Sequence, residues 1–148
     1  MKTVIPIILI AAITFGCTKE EAPVEAHLLE ACAPANGGKV VTTSGYLGDK
    51  GGTGIMCSNP GAVPMTCGYS VLIGPDGEKV FSAFIEQGFS RNQAEKLAAG
   101  YKEEDIKIRD DKGSLISLSD KVKLTGRVTV LAERRGCFMA VDRIERGG

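Results

Sequence analysis

The cleanest pattern of apolar and polar positions lies near the end of the chain. Val122, Leu124, Gly126, Val128 and Val130 alternate with Lys121, Lys123, Thr125, Arg127 and Thr129. That period of two predicts a strand with one buried and one wet face. Residues 132–136 read as a turn, and Cys137 to Ile144 as the returning last strand. Gly126 in mid-strand predicts a bend or bulge. Upstream, Val40 to Leu47 are β-rich and end at Gly48, so they read as the first strand. In Cys67 to Ile73, Tyr69, Val71 and Ile73 fall at alternating positions, which reads as the second strand. After the turn Gly74-Pro75-Asp76-Gly77, residues Lys79 to Ile85 read as the third. Both faces of that third strand are largely apolar, as expected if something covers its outside.

Other segments carry breakers or a different period. Residues 48–66 hold Gly51-Gly52, Gly54, Asn59-Pro60-Gly61 and Pro64, a long irregular loop. Ser90 with Gln93 three residues on matches a capping box. Ala94, Leu97 and Ala98 give a stripe and Gly100 a stop, so one helix is expected over 90–100. Ile106 to Arg109 and Ser114 to Leu118 read as short extra strands around the turn Asp111-Lys112-Gly113. The expected class is mostly β with one helix. Its order of strand, long loop, two strands, helix and two strands resembles the OB fold, a five-stranded Greek-key barrel. A small β-sandwich with an inserted helix is the alternative.

The N-terminal pattern is of another kind. One lysine, Lys2, precedes an uncharged and mostly aliphatic run, Val4 to Phe15, which stops at Gly16-Cys17. About twelve residues are too few to cross a ~30 Å hydrocarbon core as a helix. A short positive region, an apolar core and a small residue before a cut form a secretory signal. With Gly16-Cys17 at its end, the segment resembles a bacterial lipoprotein signal, although Thr14 and Phe15 depart from the usual lipobox. The resemblance implies lipidation of Cys17, palmitate included. Lys19-Glu20-Glu21 also looks like a surface-sorting signal of some lipoproteins, which points to the outer membrane. The expected organisation is a signal peptide over 1–16, a lipidated tether over 17–38 and a barrel domain over 39–148.

Composition narrows the functions. The 18 basic and 18 acidic residues balance, which gives no general electrostatic reason to bind nucleic acid. Aromatic residues are only 5% of the chain and tryptophan is absent, a poor supply of stacking surfaces. The only histidine, His27, falls in the expected tether, so no triad is available. The run 48–54 lacks the Gly-Lys-Ser/Thr ending of a phosphate loop. Glu103-Glu104-Asp105 and Asp110-Asp111 lack the alternating ligands of a calcium loop.

Four cysteines remain beyond Cys17: Cys32, Cys57, Cys67 and Cys137. Outside the cytoplasm an even number predicts two disulfides. The breakers between Cys57 and Cys67 let the chain double back, which favours that bridge and leaves Cys32 with Cys137. All three connectivities remain open, because an OB topology places Cys32 at the barrel end away from Cys137. The same topology gathers Cys57, Cys67 and Cys137 at one mouth, with Met65 and Met139 beside them. Soft sulfur donors suit copper(I), so these five residues are the candidate metal set. A free cysteine of depressed pKa would instead support thiol redox enzymology. The last hairpin is locally basic, and Arg127, Arg134, Arg135 and Arg143 are candidates for contact with an anionic surface. The main expectation is a disulfide-stapled envelope module that binds an envelope protein or ligand and has no catalytic activity or cofactor. Its contact surface is expected where the first long loop meets the last hairpin.

Overall fold

A computed structural model describes residues 21–49, 55–58, 61–131 and 136–147; the expected signal peptide, Cys17, Arg134 and Arg135 lie outside them. The strands, in chain order, are β1 (Val24–Glu25), β2 (Val40–Gly48), β3 (Met56–Cys57), β4 (Thr66–Leu72), β5 (Lys79–Glu86), β6 (Ile108–Arg109), β7 (Leu115–Ile116), β8 (Lys121–Val130) and β9 (Cys137–Arg146). Five of them close a barrel in the order β2-β4-β5-β9-β8 and back to β2. β2 achieves closure alone, pairing with β8 from Val40 to Tyr46 and with β4 from Tyr46 to Gly48. The β5–β9 contact is parallel and the other barrel pairings are antiparallel, which is the OB-like arrangement. That closure rules out the open sandwich.

Alternation sets the core. Val122, Leu124 and Val128 of β8 are buried, as are Met139 and Ile144 of β9, Tyr69 and Val71 of β4, and Phe81, Ala83 and Ile85 of β5. The bulge expected at Gly126 is present, with the β8–β9 register shifting between Thr125 and Gly126. A Cβ on Gly126 would collide with the Ala140 carbonyl oxygen, so only glycine lets the strands approach there.

Two expectations are corrected. Residues 90–100 form no helix. The capping contact does form, since Gln93 Oε1 accepts the Ser90 N–H at 2.9 Å. Asn92, however, is left-handed, and the chain then runs extended between two neighbours. The Ala94 N–H donates to the Glu86 carbonyl, and Ala94 bridges to both Gln87 and Ile108. Ala94 is wholly buried, so tertiary pairing outweighs helix propensity there. The short strands expected after it are β6 and β7.

The tether also differs. From Val24 onward it docks on the barrel, with β1 lying parallel to β2 in the register Val24↔Val41. Two 3₁₀ turns follow (Leu28–Glu30 and Pro34–Asn36), and Ala31 is completely buried. Charge and prolines make this segment look like a spacer, but backbone pairing and a disulfide hold it. No described helix is long and apolar enough to cross a membrane.

Candidate functional site

The four cysteines after Cys17 pair among themselves, Cys32 with Cys137 and Cys57 with Cys67. The second bridge crosses the β3–β4 hairpin at directly opposed positions. The first follows from topology. β8 is antiparallel to β2, so the end of β8 returns to the beginning of β2, where Gly38 donates to the Val128 carbonyl. Cys137, which opens β9, therefore stands beside Cys32, which precedes β2. Two disulfides fit a protein of the secretory or envelope space.

The same register takes the expected sulfur cluster apart. Cys67 lies opposite Ile85, one step past the Phe84↔Ala140 pair. Cys137 is thus about four residues along the sheet from Cys67, roughly 13 Å at strand rise. Met139 is fully buried in the core, and all four thiols are oxidised. Cys57, Met65, Cys67, Cys137 and Met139 do not converge on one donor set. Among the described residues no three His, Cys, Asp or Glu side chains cluster as metal ligands, and none carries the free thiol that the redox alternative requires.

Where the basic hairpin is described, most of its cations are engaged by the chain itself. Arg143 pairs with Asp111 at 2.9 Å and with Glu145 at 3.1 Å. Lys123 pairs with Glu25 of the docked arm at 3.1 Å, and Arg127 donates to the Gly38 carbonyl. Arg146 donates to Asp110 and to the Leu115 carbonyl. Asp110 is the hub of this region. Burial pushes its pKa up, but N–H groups of Ser114 (2.8 Å) and Lys112 (3.0 Å) and the Arg146 guanidinium outweigh that and hold it below the usual carboxylate range. The acidic pair Asp110-Asp111 is therefore structural. His27 is exposed on the docked arm.

The face formed by β4, β5 and β9 is built differently. Phe84 and Phe138 stand half-buried on its outside, edge to face with centroids 5.4 Å apart. Register explains the pair: Phe138 lies opposite Ser82, so Phe84 is its diagonal neighbour two residues on. On its other side Phe84 lies opposite Gly68, and a Cβ there would sit 3.0 Å from the ring. Glycine at 68 thus seats the ring against the sheet. Beside the pair runs a groove of about 470 Å³ lined by Pro64, Thr66, Phe84, Phe138 and Val141, with Glu86 and Asp142 among its walls. Pro64 comes from the first long loop and Phe138 to Asp142 from the last hairpin, so the groove joins the two elements expected to form the contact surface. The exposed Val63 and Met56 extend apolar surface along the same loop.

At the start of that loop, Tyr101 accepts the Ile55 N–H at 2.8 Å and donates to Asp49 at 3.3 Å, which ties the loop to the body. Tyr69 lies nearby, and burial first, with Tyr101 and Asp49 adding to it, raises its pKa so that it stays neutral.

Sequence reasoning missed the aromatic pair itself. The signal was present in the two-sided apolar character of β5. Among the described residues no helix covers its outside; Phe138 does, and only partly.

No protein-family model matches the chain, and neither a curated protein nor a solved structure is significantly similar to it. The barrel, its two disulfides and the groove therefore carry the functional reading by themselves.

Proposed function

We propose that this chain is a binding module of the cell envelope, anchored by lipidated Cys17 at the outer membrane, and that the β4–β5–β9 face is its ligand surface. One observation carries the reading. This face keeps an apolar, aromatic groove open to solvent, whereas soluble domains rarely leave connected apolar surface uncovered without a use for it. Support for a binding rather than catalytic role comes from the described lining of the groove, which is mainly aromatic and aliphatic with carboxylates at its edge and, among those residues, no nucleophile–base pair. The disulfides support an oxidising compartment, and the apolar run ending at Gly16-Cys17 supports the anchor.

In-cell photo-crosslinking tests the surface. A benzophenone amino acid at Thr66, inside the groove, should give a discrete crosslinked species. The same group at Ile73, exposed elsewhere, should give none. Equal yields from both positions would remove the reading. The anchor has its own test: Cys17→Ala should abolish palmitate labelling and release the protein from the membrane fraction.

A further inference from the structure

The groove also indicates the charge of what it binds, an inference that rests on the surface reading above. Its floor is made of the Phe84 and Phe138 rings with Pro64 and Val141, and its charged walls are the exposed carboxylates of Glu86 and Asp142. Among the described residues no lysine or arginine lines it, although Asp142 also borders a neighbouring cavity with Lys39 and Arg127. Glu86 accepts one hydrogen bond from the Gln93 amide, which leaves its charge uncompensated. Among the described residues, neither carboxylate is in an ion pair, whereas Arg143, Arg146 and Lys123 each have one nearby. Aromatic faces carry negative potential as well, so rings and carboxylates favour the same sign of ligand. A phosphodiester or other anion would be repelled by both carboxylates and by the ring faces.

We infer that the groove receives an arginine or lysine side chain of a partner polypeptide, its aliphatic stem on Pro64 and Val141 and its cation between Glu86 and Asp142 over the phenyl pair. A volume of about 470 Å³ suits one long side chain and its flanks, not a folded domain. The partner is a polypeptide rather than a free amine because the apolar surface continues past the groove onto Val63, which is 94% exposed. Arginine fits best, since its planar head stacks on rings and forks onto carboxylates.

The test uses the full-length protein in neutral detergent, with ¹³C-labelled phenylalanine rings followed by NMR. The probes are the capped peptide Gly-Leu-Arg-Leu-Gly and the same peptide with neutral citrulline in place of arginine. The arginine peptide should move the Phe84 and Phe138 signals and bind at least about tenfold more tightly than its citrulline twin, roughly 1.4 kcal/mol. Glu86→Gln with Asp142→Asn should erase that advantage while leaving citrulline binding unchanged. Both positions are exposed, so the variant should fold, and unchanged ring signals in its free state check this. Equal binding of the two peptides at these rings would overturn the cation inference and leave the surface reading standing. No movement of the rings with the arginine peptide would also overturn it, and crosslinking from Thr66 then judges the surface separately. Preferential movement of the rings by a thymidine oligonucleotide would overturn it too.

Discussion

Two outer faces of one small barrel treat charge in opposite ways. On the β2–β8–β9 side every described arginine is spent on the chain itself, and the partners come from the arm, the β6–β7 turn and β9. On the β4–β5–β9 side the carboxylates stand beside bare aromatic rings, with no cation among the described residues that line the groove. The difference teaches that local sequence charge is a poor guide to binding surfaces. The described arginines of the basic-looking hairpin are held by the chain itself, and the weakly charged face is the one whose described carboxylates have no ion-pair partner.

That contrast can be broken from the scaffold side. The largest expected effect comes from removing the Cys32–Cys137 bridge by paired alanine substitution. It closes 105 residues of chain, so its loss should cost roughly 5 kcal/mol, against about 3 for the Cys57–Cys67 bridge that closes 10. Denaturant unfolding of both double variants measures the gap. Freeing the arm should also release Lys123 and Arg127 from Glu25 and Gly38, so the first variant alone should gain salt-sensitive affinity for anionic vesicles.

Asp110→Asn comes next, at about 2 kcal/mol, because the buried carboxylate accepts two backbone N–H groups and the Arg146 guanidinium. Its pKa is lowered in the folded state, so the carboxylate's contribution is full above the unfolded value near 4. It is lost as pH falls through the depressed folded value. The stability difference between parent and variant should therefore hold at neutral pH and shrink below about pH 4; a difference that grows on acidification would contradict the assignment.

The groove side should respond in the reverse manner. Phe138→Ala should cost only about 1 kcal/mol, since the ring is half-exposed and the loss is mainly its pairing with Phe84, yet it should abolish binding of the arginine peptide. Arg143→Gln should be the mildest change. Its ion pairs are at the surface, so less than about 1 kcal/mol is expected, with peptide affinity unchanged.

How much of this the sequence made legible follows from where the information resides. The β8 alternation, the Gly126 bulge, the β6–β7 turn and the Cys57–Cys67 bridge rest on local pattern or short spacing, and each is present. The helix over 90–100 failed although its capping contact formed, because Ala94 is drawn into pairing with Gln87 and Ile108, neighbours no local window contains. The docked arm was hidden for a related reason. Its hold on the body is backbone pairing and one distant cysteine, neither of which shows in composition. Of the groove, the two-sided apolar β5 and the meeting of first loop with last hairpin were visible. The Phe84–Phe138 pair and its acidic walls were not, since they depend on the parallel β5–β9 register, set only when the barrel closes.

The central claim is that binding belongs to the acidic aromatic groove and not to the basic hairpin. Crosslinking yield from Thr66, measured in cells carrying either Glu86→Gln with Asp142→Asn or Arg127→Gln with Arg143→Gln, tests it most directly. The yield should fall about tenfold in the first background and stay level in the second. A loss confined to the arginine variant would contradict the account.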